Sequence, residues 1–286
     1  MSDRIRAHLQ SITGERHPVT SPAALKQAAH YLAEQFMTLG LDVSFHTFEA
    51  LGGTYRNVIA TMPPSRSSPV PPHPPLIIAA HYDTVQGSPG ADDNASGLAV
   101  LLEVAQRLRE APLNGAVRFI GFCLEEEDLL GSLAYVSHLK ATDQEIRGAV
   151  VLECVGFTCT AEGSQLAPPG LPIAVPTIGN FLGIVGNRAS ASLVSLIEQA
   201  ANQYVPELKT VSLLVPGLGE TFPDARRSDH AAFWHFDYPA VMLTDTANFR
   251  NPHYHQPTDT LSTLDLTFMH QVTRVVTEVA RQLASV

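Results

Sequence analysis

Apolar residues recur at helical spacing over residues 21–39, where Leu25, Ala28, Ala29, Leu32 and Phe36 fall on one stripe. Ser21 stands as N-cap, Pro22 as first helical residue and Gly40 as the stop, so this stretch reads as a helix lying on a sheet. Residues 41–49 and 55–62, either side of Gly52-Gly53, read as a hairpin. The pattern then changes to short, wholly apolar runs at 76–80, 116–124 and 148–152, which mark strands buried on both faces. Helical stretches at 96–108 and 129–139 separate them. Strands and helices alternating at this spacing imply right-handed crossovers and a largely parallel sheet covered on both sides. A helix at 189–203, strands at 210–215 and 239–243 and a closing helix at 263–283 complete the pattern. The expected fold is α/β, a three-layer α/β/α arrangement with a mixed, mostly parallel central sheet, in one domain spanning 1–286. The proline- and serine-rich stretch 63–75 reads as a surface loop between strands. The Gly- and Pro-rich stretch 160–187 reads as an irregular segment bordering a cleft.

Chemistry collects where these strands end. In parallel sheets, ligands gather at the carboxyl ends of strands, and here those ends carry His81, Glu125, Glu126 and Glu153. Asp92 and Asp93 stand between Gly90 and the helix at 96–108. Neighbouring carboxylates repel unless a cation or hydrogen-bond donors hold them, and a metal is the simplest resolution. Each residue alone is more often a structural histidine or a solvated charge; their shared placement carries the reading.

Composition narrows the class. The 286-residue chain is 45% hydrophobic and 16% charged, with a net charge of −10, which argues against nucleic acid or an anionic membrane as partner and for small ones. No run approaches the roughly 20 apolar residues of a membrane span, and the first residues lack a signal peptide's apolar core, so a cytoplasmic location is expected. Cys123, Cys154 and Cys159 lack CxxC spacing and read as free thiols rather than a disulfide framework.

The sequence resembles the zinc aminopeptidases of the M28 type. The matching pieces are His81-x-Asp83, Gly90-Ala-Asp-Asp-Asn-Ala-Ser-Gly97, Glu125-Glu-Glu-Asp-Leu-Leu-Gly-Ser132, the strand-end acid Glu153, Ser228-Asp-His230 and Asn251-Pro-His-Tyr-His-Gln-Pro-Thr-Asp-Thr260, in the family's order. The resemblance implies the zinc-dependent exopeptidase fold and two zinc ions, with Asp92 bridging them, Glu126 and His255 completing one site and His81 and Glu153 the other. Asp83 would orient His81, and Asp93 would follow a cis Asp92–Asp93 peptide. Glu125 would be the general base acting on a metal-bridging water, and Tyr254 would help to hold the oxyanion. Asp229 and His230 would support the site from behind, while Thr258 and Asp259 would cap the His255 loop. The implied activity is removal of the N-terminal residue of short peptides.

Two features keep other readings open. Glutamate at 153 replaces the aspartate of the better-known aminopeptidases, which leaves open a carboxypeptidase-type enzyme whose substrate carboxylate meets Arg227 or Arg250. Glu127-Asp128 adds negative charge near the cleft, which favours a free ammonium group. A glutaminyl-cyclase-like enzyme with one zinc and a non-catalytic binding protein are the remaining alternatives. Oligomeric state and side-chain preference are not legible.

Overall fold

A computed structural model describes residues 2–64, 73–110, 113–168, 170–171 and 173–285. The strands are β1 (Asp42–Ala50), β2 (Gly53–Met62), β3 (Leu76–His81), β4 (Val117–Phe122), β5 (Gly148–Glu153), β6 (Phe181–Asn187), β7 (Lys209–Val215) and β8 (Ala240–Thr244). The helices are α1 (Ser2–Ile12), α2 (Pro22–Thr38), α3 (Gly97–Arg109), α4 (Leu130–Ala141), α5 (Ala191–Tyr204), α6 (His230–His235) and α7 (Leu266–Ser285). All eight strands form one sheet in the order β1-β2-β4-β3-β5-β8-β6-β7. The central β4-β3-β5-β8 run is parallel, as is β6 with β7, while β1, β2 and the β6–β8 pairing are antiparallel. This is the mixed three-layer α/β architecture expected from the pattern.

Strand alternation divides the core in two. Leu76, Ile78 and Ala80 of β3 point to one face with α1, α2, α3, α5 and α7, whereas Ile77 and Ala79 point to the other with α4 and α6. Helix α3 is the central strut. Leu98, Leu101 and Leu102 are almost completely buried, and each such side chain contributes about 1.5–3 kcal/mol by leaving water.

One expectation is revised, and one helix goes beyond those read from the pattern. Residues 181–187, the end of the segment read as irregular, form β6, an interior strand between β8 and β7. Residues 2–12 form α1, whose Ile5, Leu9 and Ile12 pack into the core. Within the expected 63–75 loop, residues 65–72 lie outside the described residues. No helix among the described residues is long and apolar enough to cross a membrane. Cys123, Cys154 and Cys159 are free thiols.

Candidate metal centre and cleft

The centre forms where β3, β4 and β5 end side by side. Every residue of β3 is buried, and the strand delivers His81 to the rim of the sheet. Its Nδ1 lies 3.2 Å from the Asp83 carbonyl oxygen and 3.6 Å from Asp83 Oδ1, which turns Nε2 towards the cleft. The Asp83 carboxylate also accepts the Glu125 and Glu126 amides, each at 3.1 Å. One buried carboxylate thus orients the histidine and fixes the turn carrying both glutamates.

Residues 91–96 run between Gly90 and α3 with non-helical backbone at Asp93 and Asn94, and this kink separates the two aspartates. Asp93, not Asp92 as expected, stands between the two histidines. Asp93 Oδ1 is 3.1 Å from His81 Nε2, and Oδ2 is 2.9 Å from His255 Nε2. Asp92 turns away: its Oδ1 accepts the Gly156 amide at 2.9 Å and its Oδ2 accepts Asn251 Nδ2 at 2.7 Å. Asp92 already has its hydrogen-bond donors, which is the alternative to a cation for a buried carboxylate. The cis peptide lies between Asp93 and Asn94, one bond later than expected. Asp259 accepts the Asp92 and Asp93 amides at 2.8 and 3.2 Å, so it anchors the aspartate segment as well as ending the His255 loop.

Two donor groups therefore share Asp93. His81, Asp93 and Glu153 form one, with His81 Nε2 3.5 Å from Glu153 Oε2. Asp93, Glu126 and His255 form the other, with His255 Nε2 3.3 Å from Glu126 Oε2. Glu125 Oε2 stands beside them, 3.9 Å from His81 Nε2. Several of these atoms, His81 Nε2, both Asp93 oxygens, Glu126 Oε1 and His255 Nε2, are buried and make no hydrogen bond. Buried polar atoms are otherwise almost always paired. Convergent unpaired imidazole nitrogens and carboxylate oxygens fit a divalent cation of the zinc type.

The electrostatics point the same way. Burial raises the Asp93 carboxyl, but His255 and His81 overcome it and hold Asp93 well below the usual carboxylate range. Burial lowers the histidines, but facing carboxylates push His255 up to about 10 and raise His81. Burial and the Asp93 charge push Glu126 up to about 7, and burial with Glu153 and Glu126 nearby raises Glu125, against the pull of His81. The protein alone balances this cluster with protons that a cation would displace.

Around the centre, Ser228 Oγ donates to Glu153 Oε2 at 2.7 Å and Cys154 Sγ to Oε1 at 3.3 Å, fixing the longer side chain that stands at this strand end. Asp229 is fully buried, close enough to His81 and Asp83 to feel their charges, and burial pushes it up to about 7. His230 makes its contacts to the Ala225 carbonyl and the Trp234 ring, not to a ligand. Tyr254 stacks on the His255 ring, centroids 3.8 Å apart, and its hydroxyl accepts Arg227 Nη2 at 3.0 Å. Arg250 is buried over the Phe181 ring and donates to Gln165 at 2.8 Å.

The sequence reading missed Arg16. It is 1% exposed, and its guanidinium donates to the carbonyls of Tyr82, Pro89 and Gly90, tying α1 to the loop between His81 and Asp93. The signal would have been a lone arginine just after a helix-spaced apolar trio. A cavity of about 160 Å³ opens against Glu153 and Tyr254; Leu166, Leu171 and Ile173 from the 160–187 stretch line it, as expected for a segment bordering the cleft.

The fold and the site together define an α/β protein whose imidazole and carboxylate donors converge at the carboxyl ends of a mixed sheet. The model of peptidase family M28 matches residues 57–280, and the chain belongs to that family. The uncharacterized protein YfbL of Escherichia coli is 33% identical over 87% of this chain and 77% of its own length. Among solved structures, BSAP, a zinc aminopeptidase from Bacillus subtilis, aligns with a TM-score of 0.62 and 26% identity, over 82% of this chain and 52% of that one. The glutaminyl cyclase of Porphyromonas gingivalis aligns with a TM-score of 0.72 over 99% of this chain and 96% of that one; at 19% identity this likeness is one of fold.

Proposed function

We propose that the protein is a metal-dependent aminopeptidase that removes the N-terminal residue of short peptides. The observation that carries the reading is the convergence of unpaired, buried imidazole and carboxylate atoms on two donor groups sharing Asp93, with Glu125 beside them. His81, Asp93 and Glu153 would hold one ion, and Asp93, Glu126 and His255 a second, zinc being the ion this donor set suits. Bound there, the ions would lower the pKa of water and stabilise negative charge on the scissile carbonyl oxygen.

The remaining work belongs to the chain's own side chains. Glu125, held through its backbone by Asp83, accepts a proton from the attacking water on its carboxylate and gives it to the departing amine. Because the Tyr254 hydroxyl accepts from Arg227 and its acidity is suppressed by burial and by the charges of Asp93 and Glu153, it keeps its own proton to donate to the developing oxyanion. The cleft favours an ammonium over a carboxylate. Arg250 is buried over the Phe181 ring and bonded to Gln165, and Arg227 is already engaged with Asn248, Tyr254 and Asp224, which counts against either as the anchor of a substrate carboxylate. The likeness to BSAP supports the amino-end reading. Two donor groups that share Asp93 support two ions rather than the single ion of a cyclase-type enzyme.

The test is elemental analysis of protein purified without chelator, joined to hydrolysis of free and N-blocked dipeptides by wild type and Glu125→Gln. Two metals per chain, cleavage requiring a free amino terminus and loss of turnover in the variant are expected. One metal per chain, or cleavage requiring a free carboxyl terminus, would refute the reading.

A further inference from the structure

We propose that Arg16 is a positioning residue that couples the docking of α1 to the metal centre, so that the first helix and the strap after it belong to the machinery that holds the ions. This rests on metal binding as read above, and it concerns residues that lie before the match to the family begins, at residue 57. Helix α1 has 11 residues, too few to be stable alone. It persists because it docks on α3. Ile5 and Leu9 are buried, and Arg4 donates to both oxygens of the buried Glu103 carboxylate, at 2.9 and 2.7 Å. Helix α3 itself starts directly after the aspartate segment.

Past the helix, the chain becomes a strap across the 82–90 loop. The Gly14 amide donates to the Pro89 carbonyl at 2.8 Å, and the Arg16 amide donates to Thr84 Oγ1 at 2.9 Å. The Arg16 side chain adds five more bonds. Nε donates to the Tyr82 carbonyl at 2.8 Å and Nη2 to that of Gly90 at 3.0 Å, while Nη1 serves Pro89 and also Ile12 and Gly14 on its own side of the strap. A guanidinium carries five N–H groups in one rigid plane, so a lysine cannot replace it here. Burial lowers the group to about 10, against the pull of Asp83 and Asp93, so it stays charged at neutral pH.

Gly90 is where the strap meets the metal centre. Its φ is 60°, and a Cβ there would lie 2.4 Å from the Asp93 carbonyl oxygen, 2.4 Å from Thr84 Cγ2 and 2.8 Å from Arg16 Nη2. The Gly90 carbonyl, held by Arg16, also accepts the Ala95 amide at 3.1 Å, which spans the aspartate segment. That segment is therefore fixed from two sides, at a carbonyl by Arg16 and at the Asp92 and Asp93 amides by Asp259. Undocking α1 frees Arg16 and removes one of the two anchors. By reciprocity, ions held through Asp93 hold α1 down by the same factor.

The experiment uses the full chain as wild type, Arg16→Lys, Thr84→Val and Arg4→Ala. Zinc affinity is measured by competition with a chromophoric chelator, and amide hydrogen exchange is followed in peptides from α1 and β3, metal-free and zinc-loaded. In wild type, zinc should slow exchange in α1 at least about tenfold. Arg16→Lys should bind zinc about 10–100-fold more weakly, and saturating zinc should no longer slow α1 although it still slows β3; a helix that only adds stability would keep both responses. Thr84→Val replaces the strap's hydroxyl acceptor with a methyl, should give the same pattern in weaker form, and decides the matter where Arg16→Lys does not fold. Arg4→Ala acts on the α3 contact alone, so α1 should exchange faster throughout yet keep its response to zinc. Zinc affinity unchanged in both Arg16→Lys and Thr84→Val, or wild-type α1 exchange indifferent to zinc, would overturn the proposal. Hydrolysis of leucyl amide by the same preparations separates this role from the function it rests on. Coupling without turnover keeps the positioning role and sinks the peptidase reading, and turnover without coupling does the reverse.

Discussion

Removing the Asp259 carboxylate should loosen the aspartate segment without touching a metal donor. Asp259 is completely buried and accepts two backbone amides, those of Asp92 and Asp93. Asp259→Ala leaves both donors buried and unpaired, at about 1–3 kcal/mol each, so the loss is about 2–6 kcal/mol. That is a large part of the ~5–15 kcal/mol by which domains are stable, and at ~2–4 °C per kcal/mol it lowers Tm by roughly 5–20 °C. Asp259→Asn keeps one acceptor but turns an NH2 group towards the other amide, so its cost is about half. An opposing effect is visible: burial and the charge of Asp92 push the Asp259 carboxyl up to about 7, so neutralising it relieves repulsion. If the hydrogen bonds dominate, stability falls in the order wild type, Asn, Ala. Thermal unfolding followed by circular dichroism, with and without saturating zinc, distinguishes the two. The variants should also bind zinc about 10–100-fold more weakly, because Asp93 loses its backbone anchor. An Asn variant as stable as wild type in both conditions would refute the argument.

Other outcomes follow from the same geometry. Asp83→Asn should lower zinc affinity or activity about 10–100-fold, since it weakens the orientation of His81 and of the Glu125 and Glu126 turn together; zinc titration against a chelator checks it. Arg16→Met removes a buried guanidinium that satisfies several carbonyls, and should cost at least about 3 kcal/mol, read as a fall in the urea midpoint. Burial lowers His230 to about 4, below the ordinary value of 6.5. The unfolded chain therefore takes up the proton first as pH falls, and stability drops between pH 6.5 and 4, by about 2 kcal/mol at pH 5. His230→Asn should flatten that part of the pH profile in urea unfolding relative to wild type; an unchanged slope would contradict the assignment.

What could be read in the chain and what could not divide along physical lines. The strands β3, β4 and β5 announced themselves because burial on both faces demands unbroken apolar runs, and their ends fixed the neighbourhood of His81, Glu125, Glu126 and Glu153. Strand β6 hid behind Gly183 and Gly186, which a propensity argument reads as breakers; a Cβ at Gly186 would lie 2.6 Å from Val194 Cγ2. Helix α1 was legible in the spacing of Ile5, Leu9 and Ile12, but the reading of elements began only at residue 21. The exchange of Asp92 for Asp93 lies beyond any local pattern. Two adjacent aspartates have the same chemistry, and which one faces the histidines depends on partners far away in sequence. Asn251 and Gly156 claim the Asp92 oxygens, and Asp259 claims both amides. Had Asn251 been read as a donor to a buried carboxylate, Asp92 would have been recognised as already satisfied, and the unsatisfied neighbour, Asp93, as the one facing the histidines.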